Sequence, residues 1–415
     1  MSDARAAVAG VWRIESARLI AGLARLVRDV ALAEDLAQDA LIAALEQWPR
    51  DGVPDEPGPW LMTVAKRRAI DTLRRRDTYA SKLALFTREA EADVHDEPDL
   101  DDHIGDDLLR LIFTAAHPVL SPEAQSALIL RMLCGLSTPE IARAFLIPEA
   151  TAAQRIVRAK RTLSEAGVRF EMPTPAETGE RRSAVLKIVY LIFNEGYAAT
   201  AGDEWARPEL CREAMRLGRV LAGLLPREPE VHGLLALMEL QASRLPARTG
   251  PGGEPVLLPD QNRGRWDRAL IRHGLAALAA AEALGGGPYT LQAAIAACHA
   301  RAARAGDTDW PRIADLYEVL AHLQPSPVVL LNRAVAVGFA GDPARGLRLA
   351  DELVTVRALR SYPQLPAVRA ELLARLGRPG EARAEFLRAA GLTRNEPEQA
   401  LFRRRAGEIC ATGHA

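Results

Sequence analysis

The stretch Trp60-Leu61-Met62-Thr63-Val64-Ala65-Lys66-Arg67-Arg68-Ala69-Ile70-Asp71-Thr72-Leu73-Arg74-Arg75-Arg76 decides how the chain is read. Leu61, Val64, Ala65, Ala69 and Leu73 recur at helical spacing, with Ile70 nearby, and form a side that can be buried. Lys66, Arg67, Arg68, Arg74, Arg75 and Arg76 lie on the remaining surface, against the single acid Asp71. An arginine-rich front on an apolar back can hold phosphates, and an aromatic such as Trp60 beside arginines can stack on unpaired bases. The same pattern also suits a charged solvent face. Trp48 and Trp60 bracket a proline-rich loop, residues 49–59, and either ring could simply pin that loop to the core.

A second basic helix is expected over residues 150–163. Ser137-Thr138-Pro139-Glu140 has the residues of a capping box ahead of a short helix carrying Ile141 and Phe145. Leu146-Ile147-Pro148 ends that helix, and the next opens at Glu149 or Thr151. There Ala152, Ile156, Ala159 and Leu163 form an inward stripe, with Gln154, Arg155, Arg158, Arg161 and Thr162 mostly opposite. Short helix, tight turn, basic helix is the order of a helix-turn-helix, whose arginines and glutamines can read base edges. The flanking arginines and Lys160 would then hold phosphates. An ordinary helical hairpin with a solvated basic face has the same pattern.

Between the two lies an acidic run, residues 89–107, with ten acids and no Lys or Arg. This segregation hides inside a net charge of −1, so the overall balance does not exclude a nucleic-acid partner. At 415 residues the chain needs several cores. Alanine, leucine and arginine dominate, and aromatics are 5%, which predicts an all-α fold. Cys134, Cys211, Cys298 and Cys410 are scattered and suit a reducing compartment. No apolar run long enough to span a membrane and no signal-peptide pattern is present. The expectation is a cytoplasmic, nucleoid-associated protein without membrane insertion. No phosphate loop, dinucleotide fingerprint or HExxH spacing occurs, so no catalytic residue, metal or cofactor is expected.

Upstream, Val11, Ile14, Leu19, Leu23, Leu26 and Val30 could line one helix. Residues 29–48 give a second, with Leu32, Leu36, Ala40 and Ala44 inward and Glu34, Asp35, Gln38, Asp39 and Glu46 outward. It should end near Trp48-Pro49. Downstream, helices are expected at 181–200, 208–225, 228–245, 264–284, 288–305 and 309–323. Asn194-Glu195-Gly196-Tyr197 reads as a helix C-terminus with Gly196 just past its end. Weakly repeating pairs follow at 327–340 and 343–354, then 366–376 and 381–392. Gly338 and Gly377 lie 39 residues apart, longer than the tetratricopeptide period, and these pairs read as tetratricopeptide-like. A generic helical hairpin is the plainer alternative.

Residues 8–76 and 107–166 together resemble bacterial sigma-70-type factors of the extracytoplasmic-function class. Asp29 to Ala40 looks like the family's region 2 signature, Trp60 to Arg76 like its −10 segment, and residues 120–163 like region 4. Trp48 to Pro54, His117-Pro118, Ala142 to Leu146, Leu191 to Tyr197, Thr308-Asp309-Trp310 and Ser326 to Ala336 are similar to a subgroup with a long tetratricopeptide-like C-terminal extension. The resemblance implies region 2 over 1–78, a flexible acidic linker over 79–106 and region 4 over 107–168. A second linker over 169–180, a helical extension over 181–325 and tetratricopeptide-like repeats over 326–415 follow. It implies binding to core RNA polymerase, at the β′ clamp and β subunit, through Asp29, Glu34, Asp35, Gln38 and Asp39. It implies −10 contacts from Trp60, Lys66, Arg67, Arg68, Arg74 and Arg75, and −35 contacts from Thr151, Gln154, Arg155, Arg158, Lys160 and Arg161. The extension would regulate in cis or dock a protein partner. A conventional helix-turn-helix regulator with a helical sensor, or a helical adaptor that binds no DNA, are the competing readings.

Overall fold

The computed structural model describes residues 2–84, 104–145, 147–174, 176–197, 208–250, 256–393 and 396–412. The described residues are helical nearly throughout, and their contacts form two compact units, residues 1–191 and 192–415. No helix among them is long and apolar enough to cross a membrane.

The first unit contains α1 (Ser2–Val27), α2 (Val30–Asp51), α3 (Pro57–Ala84), α4 (Ile104–Ala115), α5 (Pro122–Met132), α6 (Thr138–Phe145), α7 (Glu149–Glu165) and most of α8 (Thr178–Tyr197). α1 buries Val8, Trp12, Ser16, Leu19, Ile20, Leu23, Ala24 and Val27, a run of three- and four-residue steps. Ile14 falls off that stripe and is 68% exposed, so the expected inward role for it does not hold. The chain turns at Arg28 (φ +54) and restarts at Asp29, whose carboxylate accepts from the Ala31 and Leu32 amides at 2.9 and 3.1 Å. This N-cap supplies acceptors to amides that a helix start leaves unpaired.

α2 runs three residues past the expected end at Trp48. Pro49 sits in its last turn, and the Gly52 amide still donates to the Trp48 carbonyl at 3.1 Å, closing the turn beyond the proline. α3 begins inside the expected loop. Its prolines, Pro57 and Pro59, occupy the first turn, where the missing N–H has no helical partner to lose. Trp48 is buried and meets the Trp60 ring edge-on, centroids 5.4 Å apart.

Ser121 caps α5, and the predicted capping box opens α6. The Ser137 amide and hydroxyl donate to Glu140 at 2.8 and 2.7 Å, and the Glu140 amide donates back to the Ser137 hydroxyl at 3.4 Å. Ala152, Ile156, Ala159 and Leu163 are the buried stripe of α7. α4 packs along α1, and α7 touches α2, so the two basic helices share one unit instead of standing apart on a tether. Residues 85–103, which carry most of the acidic run, lie outside the described residues.

The second unit holds α9 (Pro208–Leu224), α10 (Pro229–Ala242), α11 (Arg268–Ala283), α12 (Pro288–Arg301), α13 (Trp310–Leu323), α14 (Pro327–Phe339), α15 (Pro343–Glu352), α16 (Gln364–Arg375), α17 (Pro379–Leu392) and α18 (Glu396–Thr412). Proline recurs in the first turn, and Asp267, Asp309, Ser326 and Asp342 cap the starts they precede. α10 is buried on nearly every side, mostly through apolar residues, and lies among α9, α11 and α12. Its buried Glu239 is met by Arg219 of α9 at 2.7 Å. α12 stops at Arg301 instead of reaching residue 305, because Arg263 donates to the His299 and Ala302 carbonyls there.

α14 with α15 and α16 with α17 form the two expected helical hairpins, and α18 packs on α17. Gly346 allows the first crossing: a Cβ there would lie 2.7 Å from the Ala334 carbonyl oxygen. First helices start 37 residues apart (Pro327 to Gln364) and second helices 36 apart (Pro343 to Pro379), longer than a 34-residue repeat.

Candidate nucleic-acid interface

α7 presents the clearest candidate surface. With Ala152, Ile156, Ala159 and Leu163 turned inward, helical geometry leaves Thr151, Gln154, Arg158 and Arg161 exposed and Arg155 half-buried. Beside them the Ser121-capped start of α5 completes a groove of about 350 Å³, lined by Val119, Ser121, Ala124, Thr151, Arg155 and Arg158 among others. Arg155 and Arg158 bring two guanidinium groups to this groove. Glu123 stands at the same helix start, its carboxyl held below the usual range by its own amide, then by Ser121 and Arg155. Arg161 is exposed but already pairs with Glu165 at 2.6 Å.

Lys160 departs from the expected phosphate role. It points away from the groove, to Glu34 at 2.8 Å and Asp35 at 2.7 Å on α2. The reason is angular: it sits four residues after Ile156 and three before Leu163, at the edge of the buried stripe. Burial disfavours its charge, yet the two carboxylates outweigh that and hold its pKa above the usual lysine value.

On α3, Arg67 and Arg74 are exposed and Lys66 is half-buried. Arg68 reaches back to Asp39 on α2 at 3.4 Å. Trp60 is half-buried and meets Trp48 in an edge-type contact, so part of the candidate stacking ring is engaged within the protein. Arg75 lies within α3, but its side chain falls outside what the structure describes.

The acids of α2 separate into different roles. Asp29 is the N-cap. Glu34, expected to face outward, has a side chain only 3% exposed and accepts from Arg131 of α5 at 2.9 Å as well as from Lys160. Asp35 and Asp39 are exposed and ion-paired, and Gln38 is half-buried. Arg131, at the centre of this cluster, escaped sequence reading. A lone arginine in an apolar helix gives no local sign of a partner 97 residues away.

In the second unit, Gly196 does not follow a helix end. It is buried inside α8, which includes Tyr197, and Arg248 donates to the Tyr197 carbonyl at 2.6 Å and lies over its ring. Cys211 donates its thiol to the Phe193 carbonyl, and burial pushes its pKa up to about 12, so it carries no reactive thiolate. An apolar groove lies among α14, α16, α17 and α18, lined by Val335, Phe339, Val368, Phe386 and Phe402 among others. Among the described residues no three His, Cys, Asp or Glu side chains gather as metal ligands would.

Known proteins align with these parts in the same order. A profile for sigma-70 region 2 matches residues 14–79, one for sigma-70 region 4 matches 110–163, and a family of unknown function (DUF6596) matches 181–282. Uncharacterized protein R00370 of Rhizobium meliloti is 44% identical over 396 residues, covering 94% of this chain and 92% of that protein. RNA polymerase sigma factor CarQ of Myxococcus xanthus is 36% identical over 126 residues, 29% of this chain and 65% of CarQ. Probable ECF RNA polymerase sigma factor SigI of Mycobacterium tuberculosis is 27% identical over 164 residues, 39% of this chain and 56% of SigI. Among solved structures, yeast Tom70 aligns over 94% of this chain at 12% identity and a TM-score of 0.31, too low for a shared fold.

Proposed function

We propose that this chain, which belongs to one family with the Rhizobium meliloti protein and carries matches to sigma-70 regions 2 and 4 ahead of a helical region of unknown function, is a non-catalytic sigma factor of the extracytoplasmic-function class that carries core RNA polymerase to a −35/−10 promoter and helps open it. In this reading Glu34, Asp35 and Asp39 of α2, with Asp29 and Gln38, meet the β′ clamp. α3 captures the opened −10 strand with Arg67, Arg74 and neighbouring bases. α7 lies in the −35 major groove, with Gln154, Arg155 and Arg158 at base edges and Thr151 and Arg161 at the backbone. Its place of action is the nucleoid.

The observation that carries this reading is the exposed face of α7 on a fully buried apolar stripe, facing a groove completed by the start of α5. A merely soluble basic helix needs no such concavity. Run-off transcription with purified core polymerase on candidate promoters tests the proposal. Promoter-specific transcripts dependent on this chain are expected. Protection of an operator by the chain alone, with no run-off product when core is added, would replace this reading with a conventional regulator.

The extension is assigned a partner-docking or regulatory role, supported by the apolar groove among α14, α16, α17 and α18. Val368→Asp, placed in that groove, should change promoter output while leaving −35 binding intact.

A further inference from the structure

Asp35 and Glu34 are assigned to the polymerase by the reading above, yet in the folded chain both are held by basic side chains of the region 4 helices α4 to α7, a second module within the same unit. Glu34 is 3% exposed and accepts from Arg131 and Lys160, whose side chains are themselves 17% and 15% exposed. Asp35 is open to solvent except that Lys160 reaches it at 2.7 Å. Two carboxylates thus face two cations, a neutral cluster across α2, α5 and α7. Further contacts cross the same boundary. Arg25 of α1 pairs with buried Asp107 of α4 at 3.3 Å, and Arg13 of α1 pairs with Glu140 of α6 at 2.7 Å. Gly135, at φ +67 between α5 and α6, lies so close to α1 that a Cβ would stand 2.7 Å from the Ser16 hydroxyl.

We propose that Arg131 and Lys160 are an internal occupant of the polymerase-facing acids, so that this conformation is closed to core polymerase and the two compete for α2. A buried Glu34 cannot meet another protein until α5 and α7 move aside. Stripping one cation from it leaves an under-compensated buried charge, which favours opening. The occlusion is selective. Thr151, Gln154, Arg158 and Arg161 stay exposed in the same conformation, so the DNA face of α7 is not covered.

The proposal rests on α2 being the polymerase surface, and its test separates the two claims. In the full-length chain, Lys160→Met removes the cation from the second module and leaves every acid of α2 in place. Lys160→Arg keeps the charge. Affinity for purified core polymerase is measured for each, together with the distance between fluorophores at exposed Ile14 of α1 and Val157 of α7. Lys160→Met should bind core about tenfold tighter, as the competent fraction rises, with a longer label distance. Lys160→Arg should match wild type in both. A Lys160→Met affinity equal to or weaker than that of a core-binding wild type overturns the occlusion and leaves the sigma-factor reading standing. An unchanged label distance on saturation with core also overturns it. Failure of wild type and both variants to bind core overturns the reading itself, and the competition with it.

Discussion

Arg248 lies flat over Tyr197, its guanidinium carbon 3.6 Å from the ring centroid, and donates to that residue's carbonyl at 2.6 Å. One side chain thus binds the Tyr197 carbonyl and covers the Tyr197 ring, which in turn stacks on Phe193 at 5.6 Å. Arg248→Ala removes both a charge-assisted bond and a desolvated cation–π contact. The expected loss is about 2–3 kcal/mol, read as a lower urea midpoint. Arg248→Lys should recover only part of it, since an ammonium cannot stack and donate from one plane.

The capping box at Ser137 and Glu140 gives a second expectation. Ser137→Ala leaves the Glu140 amide without its acceptor and should cost about 1 kcal/mol. Burial opposes the charge of Glu140, but the Ser137 hydroxyl and amide, then Arg13, prevail and hold its carboxyl below the usual range. The depressed folded value means that the contribution is present above the unfolded carboxylate pKa and fades as pH falls through the folded one. Glu140→Gln should therefore destabilise at pH 7, by an amount that shrinks as the pH is lowered below the usual carboxylate range, as thermal melts would show.

On α7 the arginines should not be equivalent. Arg158 is exposed in the groove, and Arg158→Ala should weaken binding to a −35 duplex by about 1–3 kcal/mol. Arg161 is engaged by Glu165 at 2.6 Å. Arg161→Ala should cost less, and Glu165→Gln should tighten binding by freeing it. Fluorescence anisotropy at fixed salt measures all three; equal losses at Arg158 and Arg161 would contradict this ordering.

His299 predicts an acid sensitivity in the second unit. Burial, then the nearby Arg244 and Arg263, press its pKa down to about 3, and its ring meets Trp310 edge-on at 5.3 Å. The unfolded chain binds this proton near pH 6.5, so stability is complete above that value and declines below it, down to about pH 3. Between pH 7.5 and 5.5 the decline from this group is about 1 kcal/mol. Unfolding followed by Trp310 fluorescence should show it, and His299→Asn should flatten it.

Much of the helical plan was legible because it is local. The inward stripe of α7 follows from four residues at helical spacing, and the box at Ser137 from two residues three apart. Failures occurred where a distant partner decided. Gly196 invites a stop, yet it is buried within α8, and Arg248, 51 residues away in sequence, takes up the Tyr197 carbonyl beside it. Lys160 sits at the edge of a stripe, where a basic side chain can turn either way, and acids 125 and 126 residues upstream turn it inward. Glu34 looks like one acid among several on an outer face. Its burial depends on Arg131, which no periodicity within α2 can announce.

α10 has a consequence for how the chain is made. It is largely apolar and buried around most of its circumference, and its cover comes from α9 before it and from α11 and α12 after it. The last of that cover, Arg301, follows Ala242 by 59 residues. At ribosomal speed this is an interval of about 3–12 s in which a bare apolar rod sits in the nascent chain. Truncations ending between residues 243 and 301 keep that rod uncovered permanently and should aggregate, whereas a cut ahead of α9 removes it altogether.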